Sequence, residues 1–163
     1  MRLDLRSIVN EAGYVSFDYE PYIGDLHFDS ISKVLKPLRA VGKVTNSAGV
    51  LTLKGCATVS LLCVCDRCGG EFQTDREIEL DALLSAELQD KENPDIYLLD
   101  GDYADLDEII ITAFVFSLES KTLCREDCKG ICQTCGKNLN NGPCGCKNEP
   151  DSRLAVLKQL LSD

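Results

Sequence analysis

Hydrophobic and polar positions alternate with period two over much of the first half of the chain. After a short apolar cluster, "LDLRSIV", the stretch "YVSFDYEPY" alternates from Tyr14 to Tyr19 in the manner of a half-buried strand. From Val34 the pattern strengthens. "LRAVGKVT" leads into the turn cluster "NSAG", then into "VLTLKGCATVSLLCVC", where Val50, Thr52 and Lys54 alternate with Leu51 and Leu53 before a nearly continuous apolar run. Beyond "DRCGG", Phe72, Ile78, Leu80 and Ala82 alternate with Asp75, Glu77, Glu79 and Asp81. These runs predict an antiparallel β-meander, barrel-like in its sheet, whose long central strand enters directly into a first cysteine pair.

Period two then lapses. "ELQDKENPDIYLLDGDY" reads as an acidic, exposed connection, with Pro94 and Gly101 as breakers. In "DLDEIIITAFVFSLES", Asp105 with Glu108 three positions on is close to a capping box, and the stretch has helical length, so it predicts a mostly buried helix. At the C-terminal end, Asp151 or Ser152 can cap a helix that carries Leu154, Leu157, Leu160 and Leu161 along one stripe. The whole predicts an α+β fold in three parts: a β-rich core over 1–120, a cysteine-rich, zinc-ribbon-like module over 121–150, and a helix over 151–163 that docks on the sheet or on a partner.

A chain of 163 residues is long enough for one domain with a real core. It has no apolar tract of membrane-spanning length, and "MRLDLRSIVNEAGYVSFDYE" lacks the apolar region and cleavage site of a signal peptide, so the expected location is the cytoplasm. In that reducing compartment, ten close-set cysteines are better accounted for as metal ligands or redox centres than as structural disulfides.

The net charge of −10 is concentrated in one segment: Glu71 to Glu108 carries 14 acids against two bases, while the flanking parts are close to balanced. A solvated acidic surface accounts for that segment. Within the tail, Lys121, Arg125, Lys129, Lys137 and Lys147 face Glu126 and Asp127, a local excess that four thiolates around one divalent ion would largely offset. This pattern permits a modest contact with phosphates without predicting one. His27, the single histidine, has no cysteine near it in sequence and is left outside any site. Neither a phosphate-binding loop nor a catalytic triad order is present, and no small-molecule substrate is expected.

The chemistry lies in the cysteines. "CDRCG" at 65–69 and "CQTCG" at 132–136 both have the form C-x-x-C-G. Two intervening residues let one turn aim both sulfurs at a single ion, and the glycine lets the backbone bend so that N–H groups face the charged sulfurs. The economical grouping puts Cys132, Cys135, Cys144 and Cys146 on one zinc, because "GKNLNNGP" is rich in turn formers. Cys65 and Cys68 with Cys124 and Cys128 could hold a second. A rival grouping joins the two knuckles, Cys65 and Cys68 with Cys132 and Cys135. One zinc is expected, and two are allowed. Cys56 and Cys63 lie in apolar strand text and are expected in the core. From Cys124 to Cys146 the large aliphatics are Ile131 and Leu139. That is too little burial to order the segment, whereas structural zinc contributes on the order of 10 kcal/mol in small modules. Without metal the tail is expected to be disordered.

Taken in order, "CDRCGGEF", "DLDEIIITAF", "LCREDCKGICQTCGKNLNNGPCGC" and "DSRLAVLKQL" resemble the bacterial YceD-like family, named for accumulation of large-subunit ribosomal RNA. The likeness runs from about Leu38 to the end and is most specific in "CKGICQTCGKNLN". It implies a non-enzymatic role in making or maintaining that RNA, within ribosome assembly, with Cys65, Cys68, Cys124, Cys128, Cys132, Cys135, Cys144 and Cys146 as the motif residues. On this basis the module would present Arg125, Lys129, Lys137 and Lys147 to ribosomal RNA or to a ribosomal protein. The acidic segment would repel RNA or mimic phosphate toward a basic protein. Two other functions fit the thiols: a redox-responsive zinc-thiolate protein and a zinc-stapled protein–protein adaptor.

Overall fold

The computed structural model describes residues 1–86 and 96–146. The strands are β1 (Arg2–Asp4), β2 (Gly13–Tyr19), β3 (Ile31–Ser47), β4 (Val50–Val64), β5 (Glu71–Ser85), β6 (Ile96–Leu98) and β7 (Tyr103–Asp105), followed by the helix α1 (Leu106–Ser117). A 3-10 turn covers Leu139–Asn141.

Strands β2 to β5 form the expected antiparallel meander, and β6 adds a short parallel strand, giving the order β2-β3-β4-β5-β6. The sheet is open rather than barrel-like. Its edges are a seven-residue β2 and a three-residue β6 that pairs with only the last residues of β5, so neither edge is long enough to close on the other. The acidic connection is also shorter than expected, because Ile96–Leu98 joins the sheet and Tyr103–Asp105 pairs with Arg2–Asp4. The predicted helix over 151–163 lies outside the described residues.

Alternation decides which face is buried. Leu51, Leu53, Ala57, Val59, Leu61 and Cys63 of β4 point inward with Ile78, Leu80, Ala82 and Leu84 of β5 and Leu38, Ala40 and Val44 of β3. Between β3 and β4, Asn46 anchors the turn by accepting from the Gly49 N–H at 2.9 Å while its amide donates to the Ile8 carbonyl at 2.6 Å. Where β3 and β4 lie opposite at Gly42 and Gly55, the aromatic ring of Phe17 takes the place of missing side chains. A Cβ on Gly42 would meet the Lys54 carbonyl at 2.5 Å and Phe17 Cζ at 2.8 Å.

Helix α1 covers the inner face with Leu106, Ile109, Ile110 and Phe114. As expected, it begins at Asp105, whose side chain accepts from the Asp107 N–H at 3.0 Å. Its last turn carries no base of its own; Arg76 of β5 donates to the Ser117 carbonyl at 3.1 Å, placing a cation at the negative end of the helix. The helix thereby delivers residues 118–124 to the end of the meander, beside the first cysteine pair. No helix among the described residues is long and apolar enough to cross a membrane.

Candidate metal centres

The two C-x-x-C-G stretches fold identically at the backbone. Cys65 N–H donates to the Gly70 carbonyl at 2.9 Å and Gly69 N–H to the Cys65 carbonyl at 2.8 Å. In the tail, Cys132 N–H donates to the Lys137 carbonyl at 2.8 Å and Gly136 N–H to the Cys132 carbonyl at 2.9 Å. Gly69 and Gly136 adopt φ of 66° and 71°, the left-handed conformation that a glycine supplies at least cost. The sequence echo is therefore a structural one.

Each knuckle meets a different second pair. Cys65 and Cys68 gather with Cys124 and Cys128, and Cys132 and Cys135 gather with Cys144 and Cys146; within each set the sulfurs all lie within 4.8 Å of one another. The rival grouping of the two knuckles is not formed. The first set takes two thiols from the end of the meander and two from the chain beyond α1, so it crosses the boundary expected at residue 120. Asp66, inside the first knuckle, makes that junction: its N–H donates to the Thr122 carbonyl at 2.9 Å, and its carboxylate accepts from the Thr122 N–H at 2.6 Å. Arg67 adds a bond to the Cys128 carbonyl at 2.8 Å.

The spacing fits one ion per set. Four sulfurs about 2.3 Å from a central ion lie about 3.8 Å apart along each edge of the tetrahedron. Cys65 and Cys128 sulfurs are 3.8 Å apart, and Cys68 and Cys124 sulfurs 3.9 Å. A disulfide would bring them to about 2.05 Å. Four protein ligands leave no open coordination position.

Electrostatics within each set is uneven. Burial pushes the Cys65 thiol up, but N–H groups of Cys124, Arg67 and Cys68 outweigh it and hold the thiol down at about 6. The Cys135 and Thr134 N–H groups hold Cys132 down at about 6. Cys128 is lowered chiefly by a hydrogen bond from the Asn140 side chain, with the Gly130 N–H adding to it against burial. By contrast, burial and the thiols of Cys128, Cys65 and Cys68 push Cys124 up to about 12, and contact with Cys135, then burial, push Cys146 up to about 12. Each set thus has a sulfur ready to ionise and another that resists until a cation neutralises its neighbours.

The first set is the better shielded. Cys65 is 1% and Cys128 3% exposed, with Phe72 and Leu123 packed against them, whereas Cys135 in the tail set is exposed. Of the two cysteines expected in the core, Cys63 is there at 2% exposure. Cys56 is not: it lies on the outer face of β4, half-buried, with its thiol donating to Glu77 at 3.3 Å, because it falls on the polar side of the alternation.

The basic residues of the tail are partly engaged within it. Arg125 bridges Asp127 at 3.3 Å and the Asn140 side-chain oxygen at 2.6 Å, and Lys137 donates to the Pro143 carbonyl at 3.0 Å. Lys129 donates its backbone N–H to Asn140 at 2.9 Å. Lys147 lies outside the described residues. Asp66, Thr122 and Asn140 were not legible as site residues in the sequence; an Asp inside a C-x-x-C turn was the available signal for the first.

A β-rich protein with two sets of four thiols, each able to hold a metal, is the class that fold and site define. The chain belongs to the family described as large ribosomal RNA subunit accumulation protein YceD, whose model matches residues 53–161. The match starts at Leu53 in β4, later than Leu38, and takes in all eight clustered cysteines. The family is named for the accumulation of an RNA and not for a reaction. No curated protein and no solved structure matches the chain.

Proposed function

We propose that this chain is a non-enzymatic, zinc-binding factor in large-subunit ribosomal RNA accumulation, acting in the cytoplasm by contact with a component of the assembling ribosome. The observation that carries the reading is the pair of four-thiol sets in a chain of this family. Tetrahedral all-sulfur shells suit zinc, and a shell without an open position supports structure in place of catalysis. Cys65, Cys68, Cys124 and Cys128 would hold one zinc and Cys132, Cys135, Cys144 and Cys146 the other. The first would fasten the chain beyond α1 to the meander; the second would order a tail that lacks a hydrophobic core.

Of the two partner classes, a basic ribosomal protein has the stronger support. Asp75, Glu77, Glu79 and Asp81 form an exposed row on the outer face of β5; Asp81 is paired with Lys54 at 3.2 Å, while Glu77 and Asp75 accept only from the uncharged Cys56 thiol and Ser60 hydroxyl and keep their negative charge. Such a row attracts a basic partner and repels phosphate. Direct RNA contact through Arg125, Lys129, Lys137 and Lys147 has less, since Arg125 and Lys137 already serve bonds inside the module.

The test replaces the chromosomal copy by a variant carrying Asp75→Lys, Glu77→Lys and Glu79→Lys. The ratio of large- to small-subunit ribosomal RNA is measured, together with the ribosomal proteins co-purified. A fall in the ratio with loss of a basic ribosomal protein is expected. A ratio unchanged both in this variant and on removal of the whole chain would refute the function. A ratio that falls only when Arg125 and Lys129 are replaced would move the contact to RNA.

A further inference from the structure

The two thiol sets are joined by one side chain. Asn140 sits in the 3-10 turn Leu139–Asn141, inside the eight-residue loop between Cys135 and Cys144 of the tail set. Its amide nitrogen nevertheless donates to the Cys128 sulfur of the first set at 3.3 Å.

The orientation of that amide is dictated by its surroundings. Its oxygen accepts from the Lys129 N–H at 2.9 Å and from Arg125 at 2.6 Å, two groups that can only donate. Its nitrogen also donates to the Asn138 side-chain oxygen at 2.9 Å, and Asn138 in turn accepts from the Asn140 N–H at 2.9 Å. A flipped amide would set oxygen against sulfur and NH₂ against two donors. The turn itself is pinned by the Leu139 N–H donating to the Gly130 carbonyl at 2.9 Å, two residues beyond Cys128.

We infer that Asn140 couples the two metal sites: an ion in the tail set orders the loop that carries Asn140, and Asn140 then supports the Cys128 thiolate as a ligand of the first ion. The inference rests on the proposed metal reading and deepens it. A donor to a metal-bound thiolate is an outer-shell partner, and loss of such a partner typically lowers metal affinity 10- to 100-fold. Coupling of this kind is reciprocal, so the first ion strengthens the second by the same factor. Asn140 is a positioning residue on this account and not itself a ligand.

The test uses the full chain loaded with cadmium-113, observed by NMR, with zinc affinities measured by chelator competition. Resonances are assigned to the sets with Cys65→Ser and Cys146→Ser. Asn140→Asp is the decisive variant, since it keeps the size and the acceptors for Lys129 and Arg125 and removes the donor to sulfur. The expected result is a shifted cadmium resonance for the first set and a 10- to 100-fold weaker first site. Cys146→Ser should weaken that site by a similar factor, and by no further factor when combined with Asn140→Asp. An unmoved resonance with unchanged affinity in Asn140→Asp, in a chain that binds two ions, overturns the coupling and leaves the metal reading intact. A wild-type chain that binds no ion overturns the metal reading itself. Asn140→Ala guards against disturbance by the new carboxylate: it must weaken the first site in the same direction, and an unchanged first site in that variant would also overturn the coupling.

Discussion

Asp66 and Thr122 are bonded twice, backbone to backbone at 2.9 Å and carboxylate to N–H at 2.6 Å, across 56 residues of sequence. This pair of hydrogen bonds ties the first knuckle to the segment leaving α1, so that Cys124 and Cys128 arrive opposite Cys65 and Cys68. Asp66→Ala removes the acceptor and leaves the N–H of Thr122, a residue 6% exposed, without its partner. A loss of about 1–3 kcal/mol of stability is expected, the cost of an unsatisfied buried donor. Denaturant unfolding should record it, with weaker zinc retention at the first set and, through the coupling, a lesser weakening at the tail set.

Single cysteine replacements should act unequally. Cys65→Ser strikes a shielded ligand whose small cluster Phe72 links to the core, whereas Cys146→Ser strikes the more open tail set. Both should lower the zinc content by one ion per chain. Amide exchange should quicken across β4 and β5 only in the first case, and across 132–146 in the second.

Acid should release the metal with a defined proton count. Cys65 and Cys132 are held at about 6, below the ordinary thiol value of about 8.5. A depressed value contributes affinity and stability above the unfolded thiol's pKa, and that contribution is lost as the pH falls through about 6. At pH 7.5 the metal-free first set, held in place by the meander, therefore already carries a thiolate, and zinc should displace fewer than four protons there; the tail set, unordered without metal, should release close to four. Below pH 6 the number should approach four, with a steeper fall in affinity. Calorimetry in buffers of different ionisation enthalpy counts these protons.

The glycine pair at the middle of the sheet should tolerate no side chain. A Cβ on Gly55 would lie 2.5 Å from the Val41 carbonyl oxygen, a backbone atom that cannot step aside. Gly55→Val should cost roughly 1–3 kcal/mol or more, as overpacking does. Thermal unfolding should show it without loss of zinc stoichiometry.

Much of this was legible in the sequence where a local rule and a tertiary need agree. The alternation in β4 and β5 marked the core face, and the Asp105 cap marked the start of α1, because both signals are set by residues a few positions apart. The knuckles were legible for the same reason: C-x-x-C-G encodes its own turn. Partner choice between thiol pairs was not, since it depends on α1 carrying the chain back to Asp66, a contact 56 residues long in sequence. Closure of the sheet is not written in strand text, which does not report how many residues of β6 find a partner on β5. Cys56 departs from the core its apolar neighbours suggest because its register puts it opposite Glu79 on the polar face. In sequence Asn140 is one more turn former, and its bond to Cys128 exists only once both loops are folded.

The most direct check is the metal content of the intact chain, purified under reducing, zinc-replete conditions and weighed by native mass spectrometry. Two zinc ions per chain are expected, with eight thiols protected from alkylation, Cys63 buried in the core, and Cys56 reacting slowly because burial and Glu77 push its thiol pKa up. A chain that carries no zinc, while residues 124–146 remain protected from amide exchange, would contradict the account.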